Sequence, residues 1–213
     1  MQPRTLDHVA LWVEDRDAIA DVATSRLGMH VIERTDNFTL IGADARRFKL
    51  TLFAAEGPRE RGALEYVALR VSDLPADGLR ELDLGEGLTV RLVEAPTEVD
   101  YDLDHVALLS SDPDRTAREY LRLGFGEAGP ARVEVAGAFV EFHSGNPGNP
   151  ERPLLNHLAV LVDSAEDHRA EAEDLGIEVA DFVDAPNTLA VFVWGPERVK
   201  IEYVEHKPTF SLV

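Results

Sequence analysis

Three of the seven histidines hold the same place in a repeated stretch: His8 in Leu6-Asp7-His8-Val9-Ala10-Leu11, His105 in Leu103-Asp104-His105-Val106-Ala107-Leu108, and His157 in Leu155-Asn156-His157-Leu158-Ala159-Val160. A fourth version, Leu64-Glu65-Tyr66-Val67-Ala68-Leu69, carries tyrosine there. Carboxylates stand on later stretches, Glu141 in Phe139-Val140-Glu141-Phe142-His143 and Glu202 in Lys200-Ile201-Glu202-Tyr203. Neutral imidazoles with carboxylates are what a borderline divalent cation such as Fe, Mn, Ni, Co or Zn takes. The chain has no cysteine, which excludes disulfides, thiolate nucleophiles and Cys-based zinc sites together. One buried histidine alone is ordinarily a hydrogen-bonded core residue; the recurrence is what gives these three weight.

The elements that position them are legible from period and punctuation. Each repeated stretch alternates in strand fashion and runs into an acidic turn, Glu14-Asp15, Ser72-Asp73, Ser111-Asp112 or Asp163-Ser164. Four similar opening strands imply four modules. In the first, Asp15 and Asp17 can cap a helix, Ile19, Val22, Ala23 and Leu27 recur at helical spacing, and Gly28 can end it. Strands are expected over 29–34, 38–42 and 48–54, with a turn over 43–47, giving the order β-α-β-β-β. The second module is abbreviated, with a short helix expected over 75–82 and one strand over 88–94. The third and fourth are complete, with helices over 112–123 and 165–175. The expected class is α+β, with sheets backed by outer helices and two paired-module halves, residues 1–98 and 99–213.

Composition narrows the partners. A net charge of −19 opposes nucleic-acid binding, which needs clustered Lys and Arg. The 40 acidic residues are dispersed along the chain, a pattern of solvation that we read as halophilic, an adaptation to a high-salt cytoplasm. No apolar run on the order of 18 residues exists, so no membrane span is expected. The residues before the first strand do not form a secretory signal, so the expected location is cytoplasmic.

The repeated modules, the Asp-His-Val-Ala-Leu openings and Gly195-Pro196-Glu197-Arg198-Val199-Lys200-Ile201-Glu202-Tyr203 resemble the vicinal oxygen chelate superfamily, over nearly the whole chain. That superfamily includes glyoxalase I, methylmalonyl-CoA epimerase, extradiol ring-cleaving dioxygenases and bleomycin or fosfomycin resistance proteins. The resemblance implies that two modules pair into a half-barrel, with one ligand from each opening and each closing strand. For modules three and four those positions are His105, Glu141, His157 and Glu202, which would hold one divalent metal. Glu141, His143 and Glu202 are then the residues implied for proton transfer. The first half lacks the set, because Tyr66 replaces a histidine and Thr51 an acid, so His8 is expected to be structural. His30 and His168 are expected on element surfaces, and His206 facing water.

Three functions remain open under that resemblance. Four protein ligands would leave two positions for a small substrate with vicinal oxygens and favour redox-neutral lyase or isomerase chemistry of the glyoxalase or epimerase kind. Three ligands, without Glu141, would leave room for a catecholate and dioxygen on iron, as in extradiol dioxygenases. A resistance-type binding protein is the third. The ligand set as expected favours the first, with the partner a small molecule, neither nucleic acid nor membrane, and a homodimer allowed.

Overall fold

The computed structural model describes residues 1–43 and 48–210, so all but the first residue of the turn expected at 43–47 and the last three residues of the tail lie outside the described residues. The first quarter runs β1 (Thr5–Val13), α1 (Arg16–Leu27), β2 (His30–Arg34), β3 (Phe38–Gly42) and β4 (Lys49–Ala54). It is followed by β5 (Leu64–Val71), β6 (Glu81–Asp83) and β7 (Thr89–Glu94). Next come β8 (Asp102–Ser110), α2 (Pro113–Leu121), β9 (Gly126–Glu127), β10 (Arg132–Val135) and β11 (Ala138–Ser144). The chain closes with β12 (Leu155–Leu161), α3 (Ala165–Asp174), β13 (Val179–Asp184), β14 (Thr188–Trp194) and β15 (Lys200–His206). The class is α+β, as expected. No helix among the described residues is long and apolar enough to cross a membrane.

The acidic turns act as caps. Asp15 accepts from the Ala18 N–H, Asp112 from that of Arg115, and Ser164 from that of Asp167, each satisfying a backbone donor that the first helical turn leaves unpaired. No helix forms over 75–82. There Asp77 accepts from the Leu79 N–H and Gly78 takes φ +74°, so a local turn outcompetes the helix before β6 begins.

Strand pairing departs from the expected halves. One sheet of eight strands is ordered β13-β14-β15-β12-β1-β4-β3-β2, and one of seven is ordered β6-β7-β5-β8-β11-β10-β9. The first module therefore shares a sheet with the fourth, through antiparallel β1 and β12, and the second with the third, through β5 and β8. The division at 98 and 99 cuts across both sheets. The segment 95–101 carries the chain from β7 on one side of β5 to β8 on the other, while a bridge between Glu60 and Pro153 holds the two long linkers side by side and delivers β12 to β1.

Each sheet buries one face. Val9, Leu11, Val13, Leu50, Leu52 and Leu158 are fully buried, together with Ile19, Ala23 and Leu27 of α1. One apolar cluster continues from these through Val67, Leu69, Val106 and Leu108 of the other sheet and Tyr120 of α2. A fully buried leucine contributes about 1.5–3 kcal/mol, so this shared layer is what holds the two sheets together. The opposite face of the eight-stranded sheet carries His8, His157 and Glu202.

Candidate metal centre

All four opening strands carry a one-residue irregularity at the same position of the repeat. The pairing register skips Asp7 in β1, Glu65 in β5, Asp104 in β8 and Asn156 in β12. A bulged residue leaves the strict alternation of faces, so its side chain can lie beside its neighbour. Asp7 Oδ2 accordingly accepts from His8 Nδ1 at 2.8 Å, Asp104 Oδ1 from His105 Nδ1 at 2.7 Å, and Asn156 Oδ1 lies 3.2 Å from His157 Nδ1. Holding Nδ1–H from behind fixes the tautomer and leaves the Nε2 lone pair pointing outward, as in carboxylate–histidine–metal arrangements.

In the eight-stranded sheet two of these imidazoles meet Glu202. His8 Nε2 is 3.1 Å from His157 Nε2, His8 Nε2 is 3.2 Å from Glu202 Oε2, and His157 Nε2 is 2.9 Å from the same oxygen. Ligands about 2.1 Å from a cation and at right angles to one another stand about 3.0 Å apart, whereas tetrahedral ones stand about 3.4 Å apart. The observed triangle fits one face of an octahedron. Glu202 Oε2 is buried, and neither of the two ring nitrogens that flank it makes a well-aligned hydrogen bond to it. A buried oxygen so poorly aligned with its neighbours gains from a cation at the centre of the triangle, so the donor set fits a divalent metal.

Electrostatics agree. Burial disfavours charge on Glu202, but His157 and His8 outweigh it and hold the carboxyl well below the usual range. Burial also opposes charge on His8, yet Asp7 and Glu202 raise its pKa to about 9. His157 is pushed down, by burial first. Behind His8, Asp7 is lowered to about 2, because His8 and Lys49 overcome the cost of burial. The Lys49 ammonium lies 2.9 Å from Asp7 Oδ1, with side chains only 2% and 4% exposed.

Residues paired directly across strands share a face, which identifies the surroundings of the triad. Small side chains adjoin it: Ala10 lies opposite His157 and Thr51, and Ala159 opposite Glu202. Aromatic ones surround these. Trp12 packs on Phe53 at 5.5 Å, Phe53 lies 6.2 Å from the His157 ring, and Phe192, opposite Glu202, lies 5.1 Å from it. His206, expected to face water, is half-buried, stacked on Phe210 at 3.7 Å and 3.6 Å from Asp7 Oδ1.

The expected foursome does not assemble. His157 and Glu202 meet, but His105 and Glu141 lie in the seven-stranded sheet, and His8, expected to be structural, takes the place assigned to His105. Around His105, Tyr66 OH is 3.3 Å from Nε2, Glu141 Oε2 is 3.7 Å away, and Glu141 is ion-paired with Arg132. His143 gives its Nδ1 to Glu65 at 2.6 Å and holds Nε2 3.5 Å from Glu141 Oε2. Among the described residues, His8, His157 and Glu202 are the one group of three or more such side chains close enough to hold an ion. His8 carries the same signal as His105, the repeated motif, but the partners that complete its site come from the last quarter of the chain, not from its own half. His168 is also displaced from expectation. It is buried, stacked on Tyr203, and its Nε2 accepts from the Gln2 N–H.

No family model matches the chain, and no curated protein matches it. Among solved structures, a Bacillus subtilis protein named "putative dioxygenase" aligns over 97% of this chain and 86% of its own, with TM-score 0.77 and 16% identity. Glyoxalase I from Zea mays aligns over 94% of this chain and 92% of its own, with TM-score 0.69 and 15% identity, and a mutant form of it reaches TM-score 0.71 at 18% identity. At such identities the likeness is one of architecture: the chain shares the fold of glyoxalase I and of that Bacillus subtilis protein.

Proposed function

We propose that this protein is a divalent-metal-dependent enzyme that binds a small substrate through two neighbouring oxygens, with His8, His157 and Glu202 as ligands and oxidative cleavage of a catechol-like ring as its reaction. The observation that carries this is the buried Glu202 Oε2 within 3.2 Å of two imidazole nitrogens, with no well-aligned hydrogen bond to either. Two histidines and one carboxylate on a single octahedral face leave three positions, the arrangement typical of iron(II) oxygenases. A divalent metal there would acidify the chelated diol and, as iron, would bring it together with dioxygen, the oxidant whose two atoms end in the opened product. The chain's own residues do the rest. Asp7 and Asn156 orient the imidazoles, Trp12, Phe53 and Phe192 wall the site against water, and His206 offers a group on the same face to take up the diol's proton.

Redox-neutral lyase or isomerase chemistry depended on Glu141 as fourth ligand and base. Glu141 is engaged by Arg132 in the other sheet, and Thr51 occupies the corresponding place next to Ala10. The test is to load the protein with Fe(II) without air, add catechol or 3,4-dihydroxybenzoate, and follow oxygen uptake with the visible absorbance of the opened ring. One dioxygen consumed per diol, abolished by His157→Ala and retained by Glu141→Ala, is the expected result. Turnover of a hemithioacetal without oxygen uptake would return the site to redox-neutral chemistry.

A further inference from the structure

Lys200 is an ammonium without a direct ion-pair partner: the carboxylates that act on it, Asp181 and Glu202, do so at longer range. The chain holds three lysines among 40 acidic residues. Lys49 is paired with Asp7 and Lys207 with Asp184. Among the described residues, the Lys200 ammonium makes no ion pair and no hydrogen bond. It is nevertheless half-buried on the functional face. Lys200 lies directly opposite His157 across β12 and β15, and two residues before Glu202 on the same strand. Its Nζ stands 5.9 Å from the Phe192 ring centroid and 5.8 Å from that of Trp194, two aromatic side chains of the neighbouring strand. Holding a cation partly out of water with no carboxylate in direct contact is unfavourable.

We infer that Lys200 binds an anionic substituent, a carboxylate, on a planar aromatic substrate whose neighbouring oxygens address His8, His157 and Glu202. This rests on the chelated-substrate reading above. The Phe192 and Trp194 rings flank the planar body, and the ammonium gives a charge-assisted bond to the carboxylate, in a setting where partial burial weakens competition from water. The substrate class is therefore a carboxylated aromatic diol rather than a neutral one.

Trp12 and Trp194 are the chain's two tryptophans and both lie on this face, so their fluorescence reports occupancy. The experiment titrates zinc-loaded protein, which cannot turn over, with 3,4-dihydroxybenzoate, 4-methylcatechol and benzoate. Wild type is expected to bind 3,4-dihydroxybenzoate at least tenfold more tightly than 4-methylcatechol. Lys200→Met should erase that preference while changing 4-methylcatechol affinity less than threefold and bound zinc not at all, and Lys200→Arg should restore most of it. A preference that survives Lys200→Met overturns the inference. If neither diol binds but benzoate does, and loses at least fivefold in Lys200→Met, the lysine's role stands and the chelated-substrate reading falls. If benzoate binding too is indifferent to Lys200, both fall.

Discussion

His8 and His157 are separated by 149 residues, yet their Nε2 atoms approach to 3.1 Å, each ring held at Nδ1 by the residue just before it in sequence. Two imidazoles so placed, with a shared carboxylate oxygen, form a compact triangle of donor atoms. The first consequence concerns which histidines matter. His8→Ala should lower the affinity for zinc or iron(II) by at least a hundredfold, measured by competition with a chromogenic chelator. His105→Ala should change it less than threefold, because His105 faces Tyr66 in the other sheet.

Metal uptake should be coupled to proton release. In metal-free protein His8 holds its proton up to about pH 9, so binding at neutral pH must displace it, and affinity should climb with pH until about 9. Calorimetry in buffers of different ionisation enthalpy should count close to one proton released per metal near pH 7.5. Because the His8 pKa is raised above its ordinary 6.5, its contribution to the stability of the metal-free fold is full below about pH 6.5 and is lost as pH rises through 9. Melting temperatures measured in chelator at pH 6, 7.5 and 9 should fall in that order. Asp7, lowered to about 2, acts at the other end: its contribution is present above 3.8 and vanishes only as pH drops through 2.

The Asp7–Lys49 pair supports His8 from behind. Asp7→Asn removes the charge that orients Nδ1–H but keeps the shape, and metal affinity should fall 10- to 100-fold on the scale typical of such supports. Lys49→Met leaves the Asp7 carboxylate buried beside a methyl group. Breaking a buried pair from one side costs about 3–5 kcal/mol, so urea denaturation should show a large loss of stability, and the double variant Asp7→Asn/Lys49→Met should recover part of it.

Tyr203 offers a stability test away from the site. Its hydroxyl donates to the Leu123 carbonyl at 2.6 Å in the core, tying β15 to the segment after α2. Tyr203→Phe strands that carbonyl, at a cost of about 1–3 kcal/mol. In a chain of this size the melting temperature should fall by roughly 2–12 °C, with metal stoichiometry unchanged. A loss of metal would mean that the hydroxyl positions Glu202, one residue before it.

What the sequence by itself determined was local. Alternation and turn chemistry act over a few residues, so the four opening strands, the caps at Asp15, Asp112 and Ser164, and the strand carrying Glu202 were all legible in composition and spacing. The short helix expected over 75–82 failed on equally local grounds, because Asp77 and Gly78 make a turn there. Which strand lies beside which was a different matter. Four nearly equivalent openings present nearly equivalent edges, and only the packing of the whole chain decided that β1 meets β12 and β5 meets β8. That choice exchanged His105 for His8, separated Glu141 from Glu202, and supplied Arg132 to neutralise the carboxylate left behind. The bulges worked the same way: one extra residue shifts a strand's parity, so Asp7 lies beside His8 instead of on the opposite face, and no periodicity in the sequence marks it.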